Sequence, residues 1–301
     1  MECARGAVKR QRVSTVESAL ANIDVLSLLA TFLEADELCQ VQATCKALGS
    51  DAPAFDGLSM AEEAARRTFE LSASEEEKAL LPRHDGEGWI ELYHHLLMLR
   101  ASLTFDQLLG RYIEYKGGDK AAVGTSGALS GYTSSSHSSA ICGNHVMRAG
   151  KHWATFTECM GWQSVGVIRP LPGWGQRTLC EFHPSNNSSD YLEDLRRERT
   201  SRWEGDVHFC HFYFHTGVCF YSNWEGTFRK SDWEGEDDCE PGMKTLGMLL
   251  DLDSGALSFY HNGQRFGTLK DGLAGVYCWI TCFRGNRGSA SIKRGYDVID
   301  E

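Results

Sequence analysis

With 301 residues, 42% hydrophobic and 24% charged, the chain can hold one large or two modest domains. Such fractions exclude a collagen-like fibre, a coiled coil and disorder throughout. Its 41 acidic against 30 basic residues leave a net charge of −11, which argues against a phosphate backbone as main partner. The 31 glycines and 8 tryptophans beside only 6 prolines suggest tight turns around an aromatic-rich core, a lean towards β architecture.

Residues 1–18 read as a tail, without the hydrophobic region of a secretory signal. The longest apolar run, 25–33, is interrupted by Ser27 and Thr31 and is too short to span a bilayer. Eleven cysteines are an odd number, with no Cys-x-x-Cys pair, far below the density of a disulfide scaffold. Reduced thiols and an intracellular chain are therefore expected, and the Asn-x-Ser matches at Asn186 and Asn187 lose their glycosylation meaning. Lys9-Arg10-Gln11-Arg12 fits both a short nuclear-import pattern and a solvated tail. The expected compartment is the cytoplasm, with the nucleus second.

Residues 1–100 hold 10 basic and 17 acidic side chains and follow a helical period. Asn22 or Asp24 can cap a helix carrying Val25, Leu26, Leu29, Phe32 and Leu33. Asp36 starts a second, with Leu38, Val41, Cys45 and Leu48 at helical spacing. Ser59 with Glu62 and Ser74 with Glu77 match capping boxes, and Pro82 closes the helix after Ser74. Trp89, Leu92, Leu96 and Leu99 make the stripe of a fifth. Short helices with one apolar stripe each predict a small bundle.

Beyond Thr104 the period switches to two. The turn Asp251-Leu-Asp-Ser-Gly255 and the pair Asn262-Gly263 join strands over 246–250, 256–260 and 264–269 into an antiparallel meander. Further strands are expected over 112–115, 152–157, 164–168, 207–214, 218–221, 276–283 and 290–292. So many short strands separated by turns predict a β-sandwich. Six serines within 130–139 mark a loop.

Three motifs in this half, in order, resemble the SPRY domain family. They are Gly143-Asn-His-Val-Met-Arg-Ala-Gly-Lys-His-Trp-Ala-Thr-Phe156, then Trp162 with Val165-Gly166-Val167, then Leu249-Leu-Asp-Leu-Asp-Ser-Gly-Ala-Leu-Ser-Phe-Tyr-His-Asn-Gly263. The resemblance covers roughly 105–295 and puts Trp153, Trp162 and Trp279 in signature strands or the core. Residues 24–48 resemble an F-box, the helical hook that attaches receptor subunits to the Skp-type adaptor of cullin–RING ubiquitin ligases. Leu26, Leu29, Phe32, Leu33, Leu38 and Val41 fall at its apolar positions, with Thr44-Cys45-Lys46 following. Ile23-Asp24 stand where that family usually begins with proline, and Leu48 where it has tryptophan.

The expected fold class is α+β, a small N-terminal helical bundle followed by an antiparallel SPRY-type sandwich. The expected divisions are a tail over 1–18, the F-box-like segment over 19–70, a helical connector over 71–104 and the sandwich over 105–296.

No constellation for catalysis, cofactor or metal is expected. Asp251-x-Asp253 opens like a calcium loop, but Gly255 comes one position early and Asn262 replaces the bidentate Glu. On a strand, His208 and Cys210 would share one face and His211 and His215 the other, so the four cannot converge on zinc. No phosphate loop and no nucleophile elbow is present.

What remains is recognition. Trp-Glu-Gly occurs at Trp203, Trp224 and Trp233, and Gly173-Trp174 lies in the same loop-rich half. Such rings can stand at a rim as interface anchors, or plug the ends of the sandwich. SPRY resemblance implies that loops at one end form the ligand surface. The candidate loops are 130–139, 170–177, 183–205 and 222–242, with Trp174, Arg177, Trp203, Trp224 and Trp233 as partner-binding residues. Arg196, Arg197, Arg199 and Arg202 form a basic stretch, and Asp232, Glu234, Glu236, Asp237, Asp238 and Glu240 an acidic one. They can pair and be solvated, or form a polarised surface that selects an oppositely patterned peptide. The resemblances together imply a non-enzymatic substrate receptor that binds a protein or peptide and delivers it, through a Skp-type adaptor and cullin, to a ubiquitin ligase. The other reading is a stand-alone binding module with a structural helical cap. Neither nucleic acid nor a membrane is an expected partner.

Overall fold

The computed structural model describes residues 22–30, 33, 35–44, 49–50, 55–125, 137–185, 191–201, 203–225, 228–236, 243, 245–262 and 264–295. The basic cluster at Lys9–Arg12, and Phe32, Arg202, Asp237, Asp238 and Glu240, lie outside those residues. The chain divides into two compact units, Met1–Ala101 and Ser102–Glu301. No helix among the described residues is long and apolar enough to cross a membrane.

The first unit is helical: α1 (Ile23–Ala30), α2 (Ala35–Thr44), α3 (Met60–Ser72), α4 (Glu75–Leu80) and α5 (Trp89–Arg100). Ser74 and Glu77 form a complete capping box on α4, with the Ser74 hydroxyl accepting from the Glu77 N–H and the Glu77 carboxylate from the Ser74 N–H. On α3 only half the expected box forms. Ser59 accepts from the Glu62 N–H, while the Glu62 carboxylate reaches across to the free amides of Trp89 and Ile90 at the start of α5. A side chain of one helix thus caps the next. Arg100 closes the other end, donating to Ser72 O and to Glu77, whose carboxyl it holds down at about 2.

The core of this unit joins Leu38, Ala61, Ala64, Ala65, Phe69, Leu81, Ile90, Leu92, Tyr93 and Leu96. Three alanines on α3 let α5 approach closely. The segment 71–104, expected as a connector, supplies Leu81 and, from α5, Ile90, Leu92, Tyr93 and Leu96 to that core. Leu33 and Val41 pack against it and Leu38 is fully buried within it, whereas Val25 and Leu28 on α1 are exposed. Leu26 and Leu29 lie on α1.

Among the described residues, the second unit holds twelve strands in one hydrogen-bonded network. They are β1 (Gln107–Leu109), β2 (Ile113–Lys116), β3 (Asp119–Thr125), β4 (His137–Ile141), β5 (Lys151–Ile168), β6 (Phe209–Tyr213), β7 (Cys219–Ser222), β8 (Arg229–Ser231), β9 (Leu246–Asp251), β10 (Ala256–His261), β11 (Gln264–Lys270) and β12 (Cys278–Arg294). The network folds into two antiparallel sheets because β5 and β12 are long enough to run through both. In one, β12 over 278–284 pairs with β4 and with β5 over 162–168, and β6, β7 and β8 follow. In the other, β12 over 289–291 pairs with β3, while β5 over 151–156 pairs with β9, β9 with β10, and β10 with β11. The corner lies where the β5–β12 register shifts between Arg284 and Ser289.

Sequence periodicity therefore reads each long strand as two short ones, since the bend interrupts the alternation. It misses β1, β3, β4 and β8. Residues His137–Ser139, expected in a loop, are paired in β4. The hairpins at Gly255 and Asn262 form as expected, Asn262 with a φ of 46°. Asp251 accepts from the Asp253 and Ser254 amides, so the calcium-like acid serves a turn.

Between the sheets lie Phe156, Val165, Val167, Cys210, Phe212, Leu257, Phe259, Trp279 and Phe283. The other face of the first sheet is also buried: Ile168, Phe209, Cys278, Ile280 and Cys282 pack under the loops that follow β5.

Candidate recognition surface

Those covering loops make the candidate surface. Gly173, at a φ of 75°, turns the chain into a 3₁₀ helix, Trp174–Gln176, which drops the Trp174 ring onto the sheet. The ring is 0% exposed, and its indole N–H donates to Glu198 Oε1 at 2.7 Å. Arg177 stacks its guanidinium 4.0 Å from the ring centroid and pairs with Asp194 Oδ2 at 2.9 Å and Glu198 Oε1 at 3.6 Å. Both acids belong to or flank α6 (Leu192–Arg197), whose Leu195 is buried in the same cluster. Tyr191 secures the entry to α6, accepting from the His183 N–H and donating to His183 O.

Trp203 and Trp224 form the second half of this layer. Their rings lie 5.6 Å apart with His208 at 5.4 Å from each. Trp224 has a φ of 58°, uncommon for an aromatic residue, held by its N–H donating to Ser222 Oγ and by Arg196 Nε donating to its carbonyl. A cavity of about 110 Å³ opens there, lined by Arg196, Arg199, Trp203, His208, Trp224 and Glu225 among others. Burial beside Arg169 and Arg199 lowers His208 to about 4, so the ring is neutral at physiological pH.

The four tryptophans are thus inside, at 0, 6, 1 and 7% exposure for Trp174, Trp203, Trp224 and Trp233. The rim geometry is not what the chain adopts, because the outer face of the sheet is apolar and needs covering. Only three of the rings share this layer. Trp233 lies between the sheets against Phe212 and Phe259, its N–H donating to Gly217 O. The exposed tryptophan is Trp162 on β5, expected by resemblance in a signature strand or the core; it is 51% exposed and sits 4.3 Å from the His215 ring.

Charge also sorts differently. Arg196 and Arg197 pair with Glu193 and Asp194 of their own helix, and Arg199 with Glu225. Of the acidic stretch, Glu234 pairs with Arg265 and Glu236 with Lys230. The two stretches do not meet one another among the described residues. His208 contacts the tryptophan layer and His211 stacks on Phe209, with Cys210 on the opposite face in the inter-sheet core. The expected pairing of His208 with Cys210 on one face fails because β6 begins only at Phe209.

Sequence reasoning missed two arginines. Arg169, fully buried, donates to Ala274 O, Val276 O and Glu204 O and stacks 4.1 Å from the Tyr277 ring, tying three loops together. Arg111 is exposed and lines a groove of about 510 Å³ with Leu108, Gly110, Arg177, Thr178 and Leu179. Its guanidinium has no ion pair among the described residues, and its one ring contact is 5.8 Å from Tyr112. Alternation along a strand flags neither residue, since both sit just past strand ends.

Among the described residues, eight cysteines are free thiols. Burial pushes those of Cys142, Cys278 and Cys282 up, the last to about 12, which keeps them protonated and poor nucleophiles.

No family model matches this chain, and no curated protein matches it. Solved structures similar to it include the TRIM65 PSpry domain, 18% identical over 65% of this chain and 90% of that one, with a TM-score of 0.38. The SPRY domain of human HERC1 is 10% identical over 64% and 98%, with a TM-score of 0.38. Stonustoxin is 15% identical over 68% of this chain and 30% of that one, with a TM-score of 0.39. The antiparallel two-sheet architecture is carried by the strand registers themselves.

Proposed function

We propose that the chain is a non-enzymatic protein-interaction receptor whose sandwich recognises an acidic peptide segment of a partner at the groove between Arg111 and Arg177. The observation that carries this reading is the Arg111 guanidinium, solvent-facing and without an ion pair among the described residues, beside apolar Leu108 and Leu179. Arg177 is held in place by Trp174, Asp194 and Glu198, so one wall of the groove is preorganised. A free cation on a pre-built apolar floor suits a carboxylate next to an aliphatic or aromatic side chain. Selecting a random-peptide display library against the purified chain tests it. Enrichment of peptides with an Asp or Glu beside an apolar residue, lost with Arg111→Glu, supports the reading. A selection indifferent to Arg111→Glu overturns it.

On the same proposal the helical unit is the F-box-like hook to a Skp-type adaptor and cullin–RING ligase. Supporting it are the exposed Val25 and Leu28 on α1, an apolar pair left outside the helical core. Binding of purified Skp-type adaptor by the full chain, abolished by Val25→Asp with Leu28→Asp, is the expected result; no binding by the intact chain sinks this part. The second reading, a structural helical unit beside a stand-alone binding module, is favoured by Leu33, Leu38 and Val41, which spend their apolar surface inside the unit.

A further inference from the structure

In the helical unit, three ligating side chains converge at the start of α5. One atom each from Glu87, Glu91 and His95 lies within 4.8 Å of the others, and His95 Nε2 stands 4.0 Å from Glu91 Oε1. We propose that these residues bind a divalent transition cation of the zinc class.

The local chain builds this convergence. Glu91 and His95 are four apart on α5 and so share one helix face. Glu87 precedes the helix, and a tight turn swings it back over that face. Gly86 adopts a φ of 78°, the Glu87 N–H donates to His84 O at 3.1 Å, and the His84 N–H donates to Glu87 Oε2 at 3.1 Å. Arg83 fixes the same turn from outside, donating twice to the Glu87 carbonyl while stacking on Trp89.

An acidic pair at a helix start ordinarily serves the free amides of the first turn. Here that work is done by Glu62, which accepts from Trp89 and Ile90. Glu62 thus takes the first-turn amides of α5, and the Glu87, Glu91 and His95 donors meet on one side of the helix. Glu87 is 0% exposed and His95 9%, so two of the three donors stand in a largely dry site. Glu91 is partly exposed, which leaves the fourth position of a tetrahedron open towards water.

The donor set of one imidazole nitrogen and two carboxylate oxygens matches zinc and its neighbours. Cation–donor distances of about 2.0–2.2 Å put tetrahedral donors roughly 3.4 Å apart. From separations of up to 4.8 Å, the donors must then close by up to about 1.4 Å, a shift shared among small side-chain torsion changes at all three residues.

The test is titration of the full chain, first stripped with a chelator, with cobalt(II) followed by absorption, then competition by zinc. One equivalent of cobalt is expected, with visible ligand-field bands and no near-ultraviolet thiolate charge-transfer band. That signature separates this site from the exposed Cys39 and Cys180. Glu91→Gln and His95→Gln should each weaken binding at least tenfold, and zinc should raise the melting temperature of the wild-type chain more than that of either variant. Glu91 is exposed, so Glu91→Gln keeps the fold, and its unchanged metal-free melting temperature verifies this. Absence of stoichiometric cobalt, a thiolate charge-transfer band, or affinity unchanged in Glu91→Gln overturns the proposal.

Discussion

Arg177 stacks 4.0 Å from the centre of the Trp174 ring, and that ring hands its N–H to Glu198, which Arg177 also pairs. The aromatic face, the cation and the carboxylate form a closed triangle that locks the 3₁₀ turn to α6. Trp174, expected to touch a partner, instead lies beneath Arg177, which it helps to hold at the groove wall.

Trp174→Ala should therefore act on stability first. Removing a fully buried indole costs about 3–5 kcal/mol, whereas Arg177→Ala, with a half-solvated cation, should cost about 1 kcal/mol or less. Urea unfolding followed by near-ultraviolet circular dichroism measures both. Equal effects would show that the stack, not the ring beneath it, carries the layer.

Trp233 offers the contrast. Its ring fills the inter-sheet core and its N–H satisfies Gly217 O. Trp233→Leu should lower stability by about 2–4 kcal/mol and leave peptides selected on the wild-type chain binding with unchanged affinity. Loss of affinity at temperatures where the variant remains folded would place Trp233 at the interface after all.

Buried histidines make the sandwich acid-sensitive. Burial lowers His152 and His208 to about 4 and His211 to about 3. In the unfolded chain the same rings take up a proton near pH 6.5. Below that pH the unfolded state binds more protons, so stability is complete above it and falls as pH drops towards 4. Each such histidine removes up to about 1.4 kcal/mol per pH unit across that window. Urea midpoints at pH 7, 6 and 5 should fall in sequence, and His211→Gln should flatten the fall. A flat profile in the wild-type chain refutes the assignment.

Gly166 is paired with His211 between β5 and β6, and a Cβ there would collide with the Cys210 carbonyl. Backbone, unlike a side chain, cannot swing away. Gly166→Val should cost at least about 1–3 kcal/mol, read as a lower melting temperature, while Gly173→Ala suffers only the strain of its positive φ.

In the helical unit, Leu38→Asp places a charge at a fully buried position and should unfold the unit. Val25→Asp with Leu28→Asp, on the exposed side of α1, should change the melting temperature little. Far-ultraviolet circular dichroism during heating distinguishes them, and equal losses would mean that α1 is covered on that side.

Strand alternation was legible where a strand lies straight: Leu257 and Phe259 against Ser258 and Tyr260 disclosed β10. It was illegible at β1 and β8, three residues each, too short for a period to register. The tryptophans were legible as turn-associated, but their direction was not. Trp203 and Trp233 carry the same Trp-Glu-Gly tripeptide, yet one ring covers the outer face of a sheet and the other fills the space between sheets. Arg111 was not singled out because nothing in its neighbours' order foretells the groove.

Sequence alone determined the helical front, the change of period near Thr104, the capping box at Ser74 and the turns at Gly255 and Asn262. Each depends on residues within a few positions of one another, where local sterics and hydrogen bonding suffice. Tertiary structure alone decided that Glu62 caps a helix some 27 residues away, that β5 and β12 each serve two sheets, and that the indoles of Trp174, Trp203, Trp224 and Trp233 lie inward while Arg111 stays free of ion pairs among the described residues. Those outcomes follow from which apolar surfaces had to be covered, a balance set by partners distant in the chain. The excess of glycine and tryptophan marked where tight packing would occur, and the covering of the first sheet's outer face decided what it would enclose.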